Sequence, residues 1–230
     1  MKLLTQRTKY RLLRHHLSLA IVCAALIFLF YSVGRSNSVV QRLSLATGYV
    51  GLALLAVTLV IGALDLLRGR PNPVSTDLRR DVGIWCGVIS LAHVVLGLQV
   101  HMGNMLLYFF NRAKGAKHLL PRFDLFGFAN YTGLIAALII VLLLALSNDF
   151  SLRWLGRRRW KFLQRWNYAV IALVVLHSVA YQFMEERQLA YVILFGVSVV
   201  TILLIQVLGF RWHGRKKREM YLPTGEAHGK

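Results

Sequence analysis

The sequence predicts an all-α integral membrane protein, a six-helix bundle with both termini cytoplasmic. Three observations carry that prediction: a membrane composition, six apolar segments of spanning length, and an uneven distribution of Lys and Arg. Of the 230 residues, 57% are hydrophobic and only 16% are charged, and long stretches are almost free of charge, unlike a soluble domain. The formal net charge of +19 would suit nucleic acid, but the basic residues sit in short runs between apolar segments, where they set membrane orientation. The lipid bilayer is therefore the expected partner, and no nucleic acid is. Cys23 and Cys86 fall inside apolar segments and share no metal-ligand spacing, so they read as small buried residues.

The first span, Leu17 to Val33, follows the basic segment MKLLTQRTKYRLLRHH. The stretch after it, YSVGRSNS, is a poor match to a cleavage site, so the span is expected to stay as an anchor and not to act as a signal peptide. The others run Leu45 to Leu67, Val82 to Phe110, Phe126 to Leu146, Trp166 to Met184 and Leu189 to Phe210. Each is near the ~20 residues that cross a bilayer. Loops are short and no repeat interrupts them, so residues 1–230 are expected to form a single domain with its core at 78–184. Nothing like GxGxxG occurs on a strand-to-helix turn, so any flavin or nicotinamide domain would be a separate chain.

Orientation follows from counting Lys and Arg. With the N-terminus inside, the inner segments hold twenty-one and the outer segments seven, as the positive-inside rule requires. The outer loop NRAKGAKHLLPRFD dissents; it is either a tolerated exception or a basic surface for an acidic partner. The inner run of Arg157, Arg158, Arg159 and Lys161 either docks an acidic flavoprotein or fixes topology and touches anionic lipid.

Two histidines stand in mid-span, where an ionisable side chain is costly and marks a functional candidate. His93 lies eleven residues past Val82, and His177 eleven past Trp166. Each is ~17 Å along its helix at 1.5 Å per residue, so the two share one depth. Facing imidazoles can hold a haem iron from both sides, and bis-imidazole ligation suits electron transfer because no position is left open for substrate. Gly97, one turn beyond His93, together with Gly83 and Gly87, either makes room for a flat macrocycle or serves close helix packing. His101, eight residues beyond His93, is expected near the outer surface. There it would bind a haem propionate, a quinone headgroup or the iron of a second haem, or be a plain interfacial residue.

The stretch LRRDVGIWCGVISLAH, Leu78 to His93, resembles the opening of the ferric reductase-like transmembrane domain. The stretch LALSNDFSLRWLGRRRWKFLQRWNYAVIALVVLHSVAY, Leu144 to Tyr181, resembles its matching later block. Within that family the pattern is most similar to the haem-binding membrane subunits of bacterial periplasmic methionine sulfoxide reductase systems. The resemblance implies His93 and His177 as ligands of one haem b. The family's further histidine positions are Gln164, thirteen before His177, and Arg79, fourteen before His93. Neither suits axial ligation, so two-haem chains such as the NADPH oxidases are less similar.

The expected protein passes single electrons in a bacterial inner membrane, from a quinol or cytoplasmic flavin donor to an acceptor at the outer face. FMN or a quinone would be its further cofactor, and a redox partner protein or the quinone pool its partner. A haem-free membrane scaffold or assembly factor is the alternative that Gln164 raises. A solute transporter would need broken helices or several mid-span charges, and the sequence offers neither.

Overall fold

The computed structural model describes residues 6–67, 77–101, 104–112 and 118–221. A short α1 (Gln6–Tyr10) runs through a π-helical turn (Arg11–His16) into α2 (Leu17–Val33), followed by α3 (Val39–Leu67) and α4 (Asp77–Gly97). A 3-10 turn (Met105–Tyr108) and an antiparallel hairpin of β1 (Phe110–Arg112) and β2 (Leu119–Pro121) lead to α5 (Leu125–Ala145). The chain continues as α6 (Asp149–Gln164), α7 (Asn167–Met184) and α8 (Leu189–Tyr221). Among the described residues, six helical stretches are long and apolar enough to cross a bilayer, the fifth being α6 and α7 together. The protein is thus a multi-pass membrane helical bundle, as composition and segment length predicted.

Its centre is α3 packed against α4 and α8, beside α5 packed against α7. Small residues let α3 and α4 approach: a Cβ at Gly51 would come within 3.1 Å of Ser90 Oγ. The Cys86 thiol donates to the Gly51 carbonyl at 3.6 Å. Between hydrocarbon tails burial drives little helix association, so such close packing supplies much of the attraction.

Two segments depart from the expected pattern. The third span was expected to reach Phe110, but α4 ends at Gly97. Tyr108, 1% exposed, folds back from the loop, donates its hydroxyl to the Gly97 carbonyl at 3.0 Å and accepts the His101 amide at 2.9 Å. A helix-end carbonyl is thereby satisfied without further helix. The basic stretch between the fourth and fifth spans, expected as a loop, is α6. Asn148 caps it by accepting the Ser151 amide at 2.8 Å, and Trp160 is buried and donates to the Leu146 carbonyl at 2.9 Å. Gly156 breaks it with φ of +71°, a conformation that favours glycine.

The first span has one buried residue among those described, Cys23, and is held at its base by charge. Asp81 of α4 is fully buried. Arg11 reaches both of its carboxylate oxygens, His15 Nδ1 lies 2.8 Å away and His16 Nε2 3.4 Å. Trp85 donates its indole N–H to His16 Nδ1 at 3.2 Å, which leaves the other imidazole nitrogen to carry the proton toward Asp81. The buried carboxylate draws in His15 and His16 from the basic segment, leaving their side chains 18% and 28% exposed.

Removing one partner of a buried charge cluster strands the rest, at a cost of about 3–5 kcal/mol. Asp81→Ala is therefore expected to lower the unfolding midpoint in detergent well below wild type. A second prediction concerns α5, whose cap Asp124 accepts the Gly127 amide at 2.7 Å. Hydrogen bonds from the Arg122 guanidinium, with the cap bond, hold its carboxyl below the usual carboxylate value. Its stabilisation is full above about pH 3.9, the unperturbed value, and is lost as pH falls through the depressed folded value. Asp124→Asn should erase that acid-side loss in unfolding midpoints measured from pH 6 to about pH 2.

Candidate functional site

His93 on α4 and His177 on α7 come together inside the bundle. Their ring centroids are 6.3 Å apart and their planes nearly perpendicular, at 85°. Each is tied to a neighbouring helix in the same way. His93 Nδ1 lies 2.8 Å from the Ser44 carbonyl of α3, and His177 Nδ1 lies 2.8 Å from the Ala129 carbonyl of α5. A carbonyl can only accept, so each Nδ1 carries the proton and each Nε2 keeps its lone pair available for a metal. Two metal–nitrogen bonds of about 2.0 Å, with ~1.1 Å from each nitrogen to its ring centre, would set the centroids roughly 6 Å apart. The observed spacing fits one metal between the rings.

The two receiving helices present a matching sequence. Four residues after each accepting carbonyl stands a glycine, Gly48 on α3 and Gly133 on α5, and a threonine precedes each. A Cβ at Gly48 would lie 3.1 Å from His93 Cε1, and one at Gly133 would lie 2.7 Å from His177 Nδ1. Only glycine lets these imidazoles lie so close to the helix. Each threonine hydroxyl is shared between the same carbonyl and the one before it: Thr47 Oγ1 lies 3.0 Å from Ser44 and 2.8 Å from Leu43, and Thr132 Oγ1 2.9 Å from Ala129 and 3.0 Å from Phe128. Each carbonyl thus accepts from hydroxyl and imidazole together, which fixes the ring's tautomer and heading.

The rings border a cavity of about 270 Å³, walled largely by apolar side chains such as Leu52, Leu55, Ile140 and Val174. Gly97 also borders it, but as the last residue of α4, with a Cβ there meeting only Ser44 Oγ at 3.6 Å. Gly83 and Gly87 do not touch this cavity; they line a second one. Sequence reasoning missed Gly48 and Gly133, and the twice-occurring Thr-Gly pair was the available signal. Tyr181 also stands beside the pair: its ring is 4.9 Å from that of His177 and its hydroxyl donates to Asn130 at 2.9 Å.

His101 lies off the helix but still reaches the cavity. Its Nε2 pairs with Glu185 at 2.9 Å, and its ring stacks on Tyr181 at 6.3 Å. Gln41 holds the other Glu185 oxygen at 3.1 Å. Gln41, His101, Gln182 and Arg187 give the cavity a polar end, with Glu185 bonded to two of them from outside the lining.

The family model described as ferric reductase like transmembrane component matches residues 47–175, more than half of the chain. The match includes Gly48, His93 and Gly133 and stops two residues before His177. Similar relatives include proteins named protein-methionine-sulfoxide reductase heme-binding subunit MsrQ from Salmonella paratyphi B, Salmonella newport and Salmonella heidelberg. Each is 28% identical over 155 residues, covering 66% of this chain and 71% of the relative. No solved structure matches the chain.

The glycine contacts can be tested without any cofactor. Gly133→Val should overpack the His177 contact and destabilise the bundle by about 1–3 kcal/mol. Gly196→Ala, where nothing lies within 4 Å, should be neutral or slightly stabilising, because alanine is the better helix former. Denaturant unfolding in detergent reads both.

Proposed function

Because the chain belongs to the family of ferric reductase like transmembrane components, we propose that it is the haem-binding membrane subunit of an electron-transfer system. The observation that carries this reading is the pair of imidazoles 6.3 Å apart, each tied through Nδ1 to a carbonyl. Relatives named as heme-binding subunits of a protein-methionine-sulfoxide reductase support it. In this reading His93 and His177 would hold one haem b, and Gly97 and His101 border the cavity it would enter. Bound there, the haem supplies a one-electron iron couple whose chemistry is its own.

The protein's residues do the remaining work. Ser44 and Ala129 hold the imidazoles in the tautomer that presents Nε2, and Gly48 and Gly133 let the rings lie against their helices. The apolar wall of Leu52, Leu55, Ile140 and Val174 limits water around the site. Held by an imidazole on each side, a haem would serve electron transfer, with no position left for substrate. The polar end at His101, Gln41 and Arg187 suits a haem propionate or a quinone headgroup.

The twenty-one to seven distribution of Lys and Arg supports cytoplasmic termini, in a bacterial inner membrane like that of the relatives' hosts. Electrons then pass from a quinol or cytoplasmic flavin donor, FMN among them, toward a redox partner protein at the outer face. The whole of residues 1–230 acts as one domain in this reading. A second reading, a haem-free scaffold or assembly factor, draws on Gln164 standing where the family usually has a histidine.

Purified protein is expected to show a reduced b-type optical spectrum with one haem per chain. His93→Ala and His177→Ala should each abolish it. Full haem retention in both variants would sink the ligand assignment, and wild-type protein without a Soret band would favour the scaffold.

A further inference from the structure

Toward the end of the bundle where Arg11 meets Asp81 lies a second cavity, of about 620 Å³. The proposed electron transfer makes no use of it. Leu55 and Ile140 line both cavities, so the two are stacked along the bundle. The second repeats the construction of the first. Arg79 stands fourteen residues before His93, and Gly62 fourteen after Gly48, a step of ~21 Å along each helix. A Cβ at Gly62 would meet Arg79 Cζ at 3.0 Å and both terminal nitrogens at 3.1 Å. The guanidinium thus lies flat on its glycine, as the His93 imidazole lies on Gly48. Across the cavity, Ser147 and Gln164 line the opposite wall, fourteen residues after Gly133 and thirteen before His177.

The bay therefore keeps its space and its glycine but presents cations in place of imidazoles. Arg79, Arg80, Lys161 and Arg165 line it, and none of its described lining residues is Asp or Glu. Asp149 pairs with Arg80 from outside the lining, yet Arg80 Nε is buried without a hydrogen-bond partner. Gln206 is already committed, donating to the Leu59 carbonyl at 2.8 Å and accepting from Tyr168 at 3.2 Å. Apolar side chains including Leu59, Ala63, Leu144, Val170 and Phe210 make up much of the remaining wall, with Thr58 and Asn167 among them.

A basic rim over an apolar wall fits an amphiphile with an anionic head. Arginines favour phosphate in particular, because the planar fork matches its oxygens. Helix α6 supplies Lys161 and exposes Trp154 and Phe162, at 76% and 62%. A basic helix with exposed aromatics lies at headgroup depth, which puts the rim where lipid phosphates are. We propose that this cavity binds an anionic phospholipid, its phosphate on the arginines and Lys161 and an acyl chain along the apolar wall. The proposal rests on the bay's geometry and charge alone, so its failure would leave the haem reading untouched.

The test uses the full chain, delipidated in neutral detergent. Its thermal unfolding is followed in micelles carrying phosphatidylglycerol or phosphatidylcholine, or with inorganic phosphate. Phosphatidylglycerol should raise the midpoint, as a ligand specific for the folded state does, and the other two should not. The double variant Lys161→Gln, Arg165→Gln should lose that rise while unfolding like wild type in phosphatidylcholine. Equal shifts with both lipids, or a rise that survives in the double variant, would overturn the proposal. An equal rise with inorganic phosphate would also overturn it, assigning the site to a soluble phosphate ester. If the double variant does not fold, native mass spectrometry of gently extracted wild type decides. Retained phosphatidylglycerol in excess of phosphatidylcholine supports the site, and no excess refutes it.

Discussion

The hydrogen bond from each imidazole Nδ1 to a backbone carbonyl one helix away is the constraint on which the arrangement depends. It couples α4 to α3 through Ser44 and α7 to α5 through Ala129. A helical carbonyl already accepts from the amide four residues on, so a further donor must approach from the side. That approach is blocked by any side chain at the amide residue. Gly48 and Gly133 occupy those two positions, and Thr47 and Thr132 add a hydroxyl to the same oxygens. Backbone, glycine, threonine and histidine act as one unit, built twice from different stretches of chain.

Much of this was legible beforehand, for identifiable reasons. Span number followed from hydrophobic length, and the common depth of His93 and His177 followed from counting residues along two helices that run the same way. What could not be read is lateral. Facing Gly48 requires knowing which side of α3 meets α4, and no periodicity in so uniformly apolar a helix gives that. Attention therefore fell on Gly97, Gly83 and Gly87, which share a helix with His93, and not on the glycines opposite. The third span was overextended for a similar reason: apolar residues continue past Gly97, where the chain turns and Tyr108 returns to the Gly97 carbonyl. α6 was hidden by its charge, because an interfacial helix need not be apolar on every side.

The stacked cavities show how one bundle geometry can be kept while its chemistry changes. A fourteen-residue step returns to nearly the same helix face, since four turns take ~14.4 residues. Substituting Arg79 and Gln164 at the step removes metal-binding nitrogens without closing the space. The second cavity then carries cationic side chains at the level where imidazoles would stand, with Arg80 paired to Asp149.

The Arg11–Asp81 contact also bears on biogenesis. A ribosome delivers the N-terminal helix first, so Arg11, His15 and His16 reach the bilayer surface before α4 emerges. The carboxylate of Asp81 then enters beside counter-charges already in place, and the costliest residue of that span never faces lipid alone. The first helix, which also packs on α3, is thereby tied at its base to the helix that carries His93.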